Sequence, residues 1–198
     1  MDSKSIPFVG LTGGIGAGKS TALQVLERLG VATLSTDQVV HDLYDTPEVR
    51  GAVREHFGND VAPGGVIDRS ALATRAFETS EQRQWLEALL WPRVGARMVA
   101  WREQLKQLSP PPRVAVVEVP LLFESGMESA FDATIAVVAH EAIRSQRASA
   151  RNHSALDERS VRQLTQKEKS GRATYVVRND GTIEQLELEL SAVLDKLQ

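Results

Sequence analysis

Residues 9–21 read VGLTGGIGAGKST. Within them Gly13 to Ser20 spell GGIGAGKS, a full match to the phosphate-loop pattern G-x-x-x-x-G-K-S/T. The match lies between the apolar run Ile6 to Leu11 and a helical pattern over Ser20 to Leu29, which is where such a loop works. Its glycines let backbone N–H groups converge on phosphate oxygens, and the start of the helix adds a favourable dipole. Lys19 reaches the outer phosphates and the Ser20 hydroxyl can ligate Mg²⁺. Gly13, Gly14, Ile15, Gly16, Ala17, Gly18, Lys19, Ser20 and Thr21 are therefore the expected binding set for a nucleoside triphosphate.

Outward from the loop, short apolar or β-branched runs recur at Val31 to Leu34, Val114 to Val119, Thr134 to Val138 and Tyr175 to Val177. Each precedes a turn signal or a helical pattern. This alternation predicts a parallel sheet covered by helices on both faces. The fold class is α/β, a P-loop NTPase-type parallel sheet flanked by helices.

Two stretches are too long for plain connections. Pro47 to Phe57 and Arg69 to Phe77 read as helices, GNDVAPGG between them as a loop, and Ser80 as the cap of a third helix. Pro92 is expected to break the pattern at Trp91 and start a new helix with Val94, Met98, Trp101, Leu105 and Leu108 on one face. A second insertion, Glu141 to Arg151 and Asp157 to Lys169, is polar and arginine-rich. The expected organisation is a nucleotide core (about 1–46, 113–140 and 173–198), a helical acceptor-binding subdomain (about 47–112) and an arginine-rich lid (about 141–172). The last helix has Thr182 as cap and Ile183, Leu186, Leu190, Val193 and Leu197 on one face.

Composition narrows the function classes. The chain has 198 residues, 42% hydrophobic and 25% charged, enough to bury one sizeable core. Its net charge of −3, without blocks of one sign, advertises neither nucleic acid nor an anionic membrane. With no cysteine, disulfides and thiolate chemistry are excluded, and the four histidines show no metal spacing. No signal peptide or spanning segment is visible, so a cytoplasmic protein without an obligate protein partner is expected.

A phosphate loop does not say what happens to the phosphate. Transfer to an acceptor suits two insertions that can bind the acceptor and exclude water. An N-K-x-D guanine motif is missing, Asn179-Asp180-Gly181 being the nearest sequence. Asp37, after the second strand in LSTDQVV, either orients an acceptor hydroxyl and takes its proton or simply caps the next helix. Glu118 at the end of the third strand either supports metal or acceptor or lines a wet rim, and Leu121, Leu122 and Phe123 fit a core as well as a pocket. Arg144, Arg147 and Arg151 share a helix face, suited to clamping phosphate or to facing solvent.

Taken together, VGLTGGIGAGKST, the aspartate after strand two, IDRSAL at 67–72, VPLLFE at 119–124, the arginines at 147 and 151, and NDGT at 179–182 make the chain resemble the dephospho-coenzyme A kinases over nearly its whole length. The resemblance implies ATP-dependent phosphorylation of the ribose 3′-hydroxyl of dephospho-coenzyme A. It implies Asp37 as general base and acceptor contact, with Lys19 and Arg147 also in the catalytic set. Ser20 would hold Mg²⁺, Arg147 and Arg151 would serve the lid, Asn179 and Gly181 would lie near the adenine, and Glu118, Leu121 and Phe123 would meet the acceptor. The chain departs from the family pattern at Glu118, usually aspartate, at Trp91-Pro92, usually His-Pro, and at Ala173-Thr174, usually Ala-Asp.

Overall fold

A computed structural model describes residues 6–149 and 163–197. Arg151 and residues 157–162 of the second arginine-rich stretch lie outside the described residues. The strands are β1 (Phe8–Gly13), β2 (Ala32–Ser35), β3 (Ala115–Glu118), β4 (Ala133–Val138) and β5 (Tyr175–Arg178), paired in the order β2-β3-β1-β4-β5. Every pairing is parallel, as the apolar runs predict. Helix α1 (Lys19–Arg28) follows β1. Between β2 and β3 come α2 (Thr36–Tyr44), α3 (Pro47–Phe57), α4 (Arg69–Phe77) and α5 (Ser80–Lys106). Helices α6 (Glu141–Ser149) and α7 (Gln166–Arg172) separate β4 from β5, and α8 (Ile183–Lys196) is last.

The chain divides into two compact units, residues 1–35 with 102–198, and residues 36–101. In the first, β1 is buried over all six residues. Val9 and Leu11 join Val116, Ile135 and Val137 with Leu26 of α1 and Leu186 and Leu190 of α8 in one apolar cluster. Each such side chain contributes about 1.5–3 kcal/mol when fully buried. Register sets Leu11 beside Glu118 on one side and Ile135 on the other, so the carboxyl ends of β1, β3 and β4 meet at one edge of the sheet, where doubly wound sheets bind ligands.

The second unit is helical. Thr46 Oγ1 accepts from Val49 N to cap α3, and Asp68 Oδ1 accepts from Ser70 N and Ala71 N to cap α4. His56 stacks on Trp85 with centroids 3.8 Å apart, and Phe57 meets Trp85 edge-on. The GNDVAPGG stretch contains two 3₁₀ turns, Asn59–Val61 and Pro63–Gly65.

The expected break at Pro92 does not occur: α5 is one helix through it. Proline removes one donor and crowds the preceding carbonyl, but Pro92 is exposed, and Leu90, Val94 and Met98 on the opposite side are buried. Arg93 also turns back, Nη1 donating to the Leu89 carbonyl at 2.7 Å, while its Nη2 pairs with Glu48 of α3. Tertiary burial and a side-chain donor thus outweigh the local breaker.

Candidate active site

The phosphate loop runs directly from β1 into α1, and its shape depends on glycine at three points. Gly16 and Gly18 have φ of 74° and 91°, a left-handed backbone that L side chains rarely adopt. A Cβ at Gly13 would lie 2.5 Å from the Val137 carbonyl oxygen, one at Gly16 2.5 Å from that of Arg144, and one at Gly18 2.0 Å from Asn179 Nδ2. Gly18 is the N-cap of α1, where no side chain caps the helix, so its first-turn N–H groups suit an anion. Lys19 folds back along the loop, Nζ donating to the carbonyls of Gly13 (3.0 Å) and Gly14 (3.4 Å). Ser20 is exposed and Thr21 half-buried in the first turn.

The far side of the sheet edge braces this loop. Asn179, just past β5 and only 5% exposed, donates through Nδ2 to the Ala17 carbonyl at 2.8 Å. Arg147 Nη1 donates to the Asn179 carbonyl at 3.1 Å, so it reaches the loop at one remove. Arg144 touches the loop directly: Nε donates to the Ile15 carbonyl at 2.9 Å and Nη1 to Glu141 Oε2 at 2.7 Å. The shared arginine face is thus turned to the loop at two of its three positions, the third, Arg151, being outside the described residues. Gly181 is exposed, and Gln185 of α8 occupies the space where its side chain would be.

On the other side, Glu118 is 7% exposed at the end of β3 and accepts from Ser35 Oγ at 3.0 Å. Leu121 is half-buried. Phe123 is buried at 4% and belongs with the core side chains. Asp37 lies exposed in the first turn of α2, two residues beyond β2, and belongs to the unit of residues 36–101.

One residue escapes any reading of pattern. Lys169, in the polar string QKEKSGR of α7, is fully buried and forms an ion pair with Glu124 at 2.8 Å. Burial pushes its ammonium below the ordinary lysine range, against the opposing hydrogen bond and charge of Glu124. No apolar periodicity could have revealed it.

A family model described as dephospho-CoA kinase matches residues 7–185. The chain belongs to the dephospho-CoA kinase family. Among its relatives, the Deinococcus radiodurans dephospho-CoA kinase is 39% identical over 193 residues, covering 96% of this chain and 92% of the relative. The Thermus thermophilus dephospho-CoA kinase is 35% identical over 99% of this chain and 94% of its own. The crystal structure of TT1252 from Thermus thermophilus superposes with a TM-score of 0.82 at 34% identity, covering 98% of this chain and all (100%) of that one. The dephospho-CoA kinase from Campylobacter jejuni, at 21% identity and a TM-score of 0.66 over 98% of both chains, shares the fold. The P-loop kinase fold expected from sequence is therefore the fold of this family member.

Among the described residues no group of three or more histidine, aspartate or glutamate side chains could hold a metal, and no helix is long and apolar enough to cross a membrane. Mg²⁺ is commonly held by substrate phosphates with one or two protein oxygens, and the exposed Ser20 hydroxyl at the head of α1 is such a donor.

Proposed function

We propose that the chain transfers the γ-phosphoryl group of ATP to the ribose 3′-hydroxyl of dephospho-coenzyme A, giving coenzyme A and ADP, the last step of coenzyme A biosynthesis. The observation that carries this is an intact, braced phosphate loop in a chain that the family model matches from residue 7 to residue 185. The loop N–H groups and Lys19 receive the β- and γ-phosphates. Ser20 holds Mg²⁺, which offsets phosphate charge when bound with ATP. Asp37 takes the proton of the 3′-hydroxyl as its oxygen bonds to the γ-phosphorus, and the bond to the bridging oxygen breaks with its electrons passing to ADP.

Arg147 is assigned to the phosphates as a lid residue, and Arg151 is given the same role by the family resemblance alone. For Arg147 the support is its position one hydrogen bond from Asn179, which itself holds Ala17. Asn179 and Gly181 belong to the adenine side. The helical insertion of about residues 47–112 is assigned to acceptor binding, and so are Glu118, Leu121 and Phe123; the buried Phe123 acts by shaping the loop that carries Leu121. The reaction is assigned to the cytoplasm.

The test is ADP release with Mg-ATP in the presence of dephospho-coenzyme A or of a panel of nucleosides and nucleoside monophosphates. Release should require dephospho-coenzyme A and yield coenzyme A; equal release without acceptor would overturn the reading. Asp37→Asn should keep ADP affinity while turnover falls by about 100-fold or more, as loss of a general base requires. Unchanged turnover in that variant would remove Asp37 from the mechanism.

A further inference from the structure

Lys169 is completely buried, and its three N–H groups go to three separated points of the chain. Glu124 Oε1 accepts at 2.8 Å, the Pro120 carbonyl at 2.9 Å and Thr12 Oγ1 at 3.3 Å. Thr12 in turn donates from Oγ1 to the same Pro120 carbonyl at 3.2 Å. Thr12 immediately precedes Gly13, where the phosphate loop begins. Pro120 and Glu124 flank the segment after β3 that carries Leu121 and Phe123. One ammonium therefore joins the base of the phosphate loop to both ends of the proposed acceptor loop.

The mounting of this ammonium is itself fixed. Glu124 Oε1 also accepts from Leu164 N at 2.8 Å, and Gln166 in the first turn of α7 pairs with both the N–H and the carbonyl of Ala139, each at 2.9 Å. Cohesion alone does not account for the arrangement. An apolar pair of similar volume holds a core at least as well as a buried ion pair, and Glu124 Oε2 is buried with no hydrogen-bond partner among the described residues. What an apolar pair cannot do is hold a hydroxyl, a carbonyl and a carboxylate at set distances from one point.

We infer that Lys169 is a positioning residue that sets the spacing of the phosphate loop and the Pro120–Glu124 loop, and so governs transfer without touching either substrate. The inference rests on the kinase reading above. Catalysis of phosphoryl transfer is mostly alignment of donor and acceptor, and a displacement of about 1 Å can cost about 100-fold in rate. ATP affinity depends on different contacts, because Arg144 and Asn179 brace the phosphate loop independently of Lys169.

The experiment compares full-length wild type with Lys169→Met, Lys169→Arg and Thr12→Val. ADP affinity is measured by calorimetry, kcat and KM with ATP and dephospho-coenzyme A, and folding by circular dichroism. Lys169→Met should keep ADP affinity within about threefold and lose about 100-fold in kcat, with Lys169→Arg recovering much of the loss. Thr12→Val keeps the ion pair and the volume but cuts the arm to β1, and should lose about tenfold in kcat at unchanged ADP affinity. If Lys169→Met does not fold, Thr12→Val decides alone. Turnover of the folded variants within about threefold of wild type, or ADP affinity falling in step with kcat, would overturn the inference. A wild type inactive on dephospho-coenzyme A would instead remove the kinase reading, and this inference with it.

Discussion

A single carbon added at Gly18 measures how little room the phosphate loop has. The backbone there is left-handed, costing roughly 1–2 kcal/mol for an L residue, and the new Cβ would displace Asn179 from the Ala17 carbonyl, a bond worth about 1 kcal/mol. Gly18→Ala should therefore weaken ADP binding by roughly 30-fold or more, since each 1.4 kcal/mol or so is about tenfold. Gly64→Ala is the control: φ is 65° there, nothing lies within 4 Å of the new carbon, and only stability should change. Equal ADP affinity in both variants would mean that Asn179 does not hold the loop. Lys169 gives a second prediction. Removing one member of a buried pair leaves the other uncompensated, so Lys169→Met should lose about 3–5 kcal/mol of stability at neutral pH. Because burial depresses the folded pKa below the ordinary lysine value of 10.5, the unfolded chain binds more protons between the two values. Wild-type stability should therefore rise relative to Lys169→Met as pH climbs through that window toward about 10.5, as urea unfolding at pH 7 and 10 can show. The opposite slope would mean that attraction to Glu124 outweighs burial.

At the scale of elements, the strands were legible because a parallel sheet covered on both faces demands continuous apolar runs, and each run became a strand. The cap at Thr182 was legible for the same local reason, accepting from Gln185 N in a full capping box, whereas the expected cap Ser80 is the first helical residue of α5 and the capping oxygen is that of Thr79 before it, which accepts from Gln82 N at 3.2 Å. What could not be read were elements decided by distant partners. Pro92 carries a strong local signal that burial of Leu90, Val94 and Met98 overrides, and α7 falls in the polar second insertion although the fully buried Lys169 is at its centre. The phosphate loop itself was legible from spacing, whereas its braces Arg144 and Asn179 act through side-chain bonds to carbonyls that leave no periodicity. Pro92 offers its own prediction. An interior proline costs a helix about 3 kcal/mol, of which its restriction of the unfolded chain returns up to about 1 kcal/mol. Pro92→Ala should thus stabilise by about 2 kcal/mol in urea unfolding. A destabilised variant would show that α5 is shaped around the proline, with Arg93 and its Leu89 contact arranged for the bend.

For the whole molecule, the chain divides into residues 1–35 with 102–198 and residues 36–101. The phosphate loop, its braces Arg144, Arg147 and Asn179, and the Lys169 network all belong to the first unit, whereas Asp37 belongs to the second. The second is a small contiguous helical stretch whose own aliphatic and aromatic contacts, such as His56 on Trp85, need not open together with the sheet. ADP bound through the phosphate loop, as proposed above, should stabilise the unit that contains it. At about 100 times its dissociation constant, the gain is about 2.7 kcal/mol, which for a chain of this size raises Tm by roughly 5–10 °C. Amide exchange resolves where that gain falls. Core amides of β1, β3 and β4 should slow by about the full 2.7 kcal/mol, roughly 100-fold, while those of α3 and α4 should keep their rates if residues 36–101 open by themselves. Equal slowing in α3 and α4 would show that the two units unfold in one cooperative step, and the same ADP concentration on Gly18→Ala, where binding is about 30-fold weaker or more, should slow the β1, β3 and β4 amides by at most about fourfold.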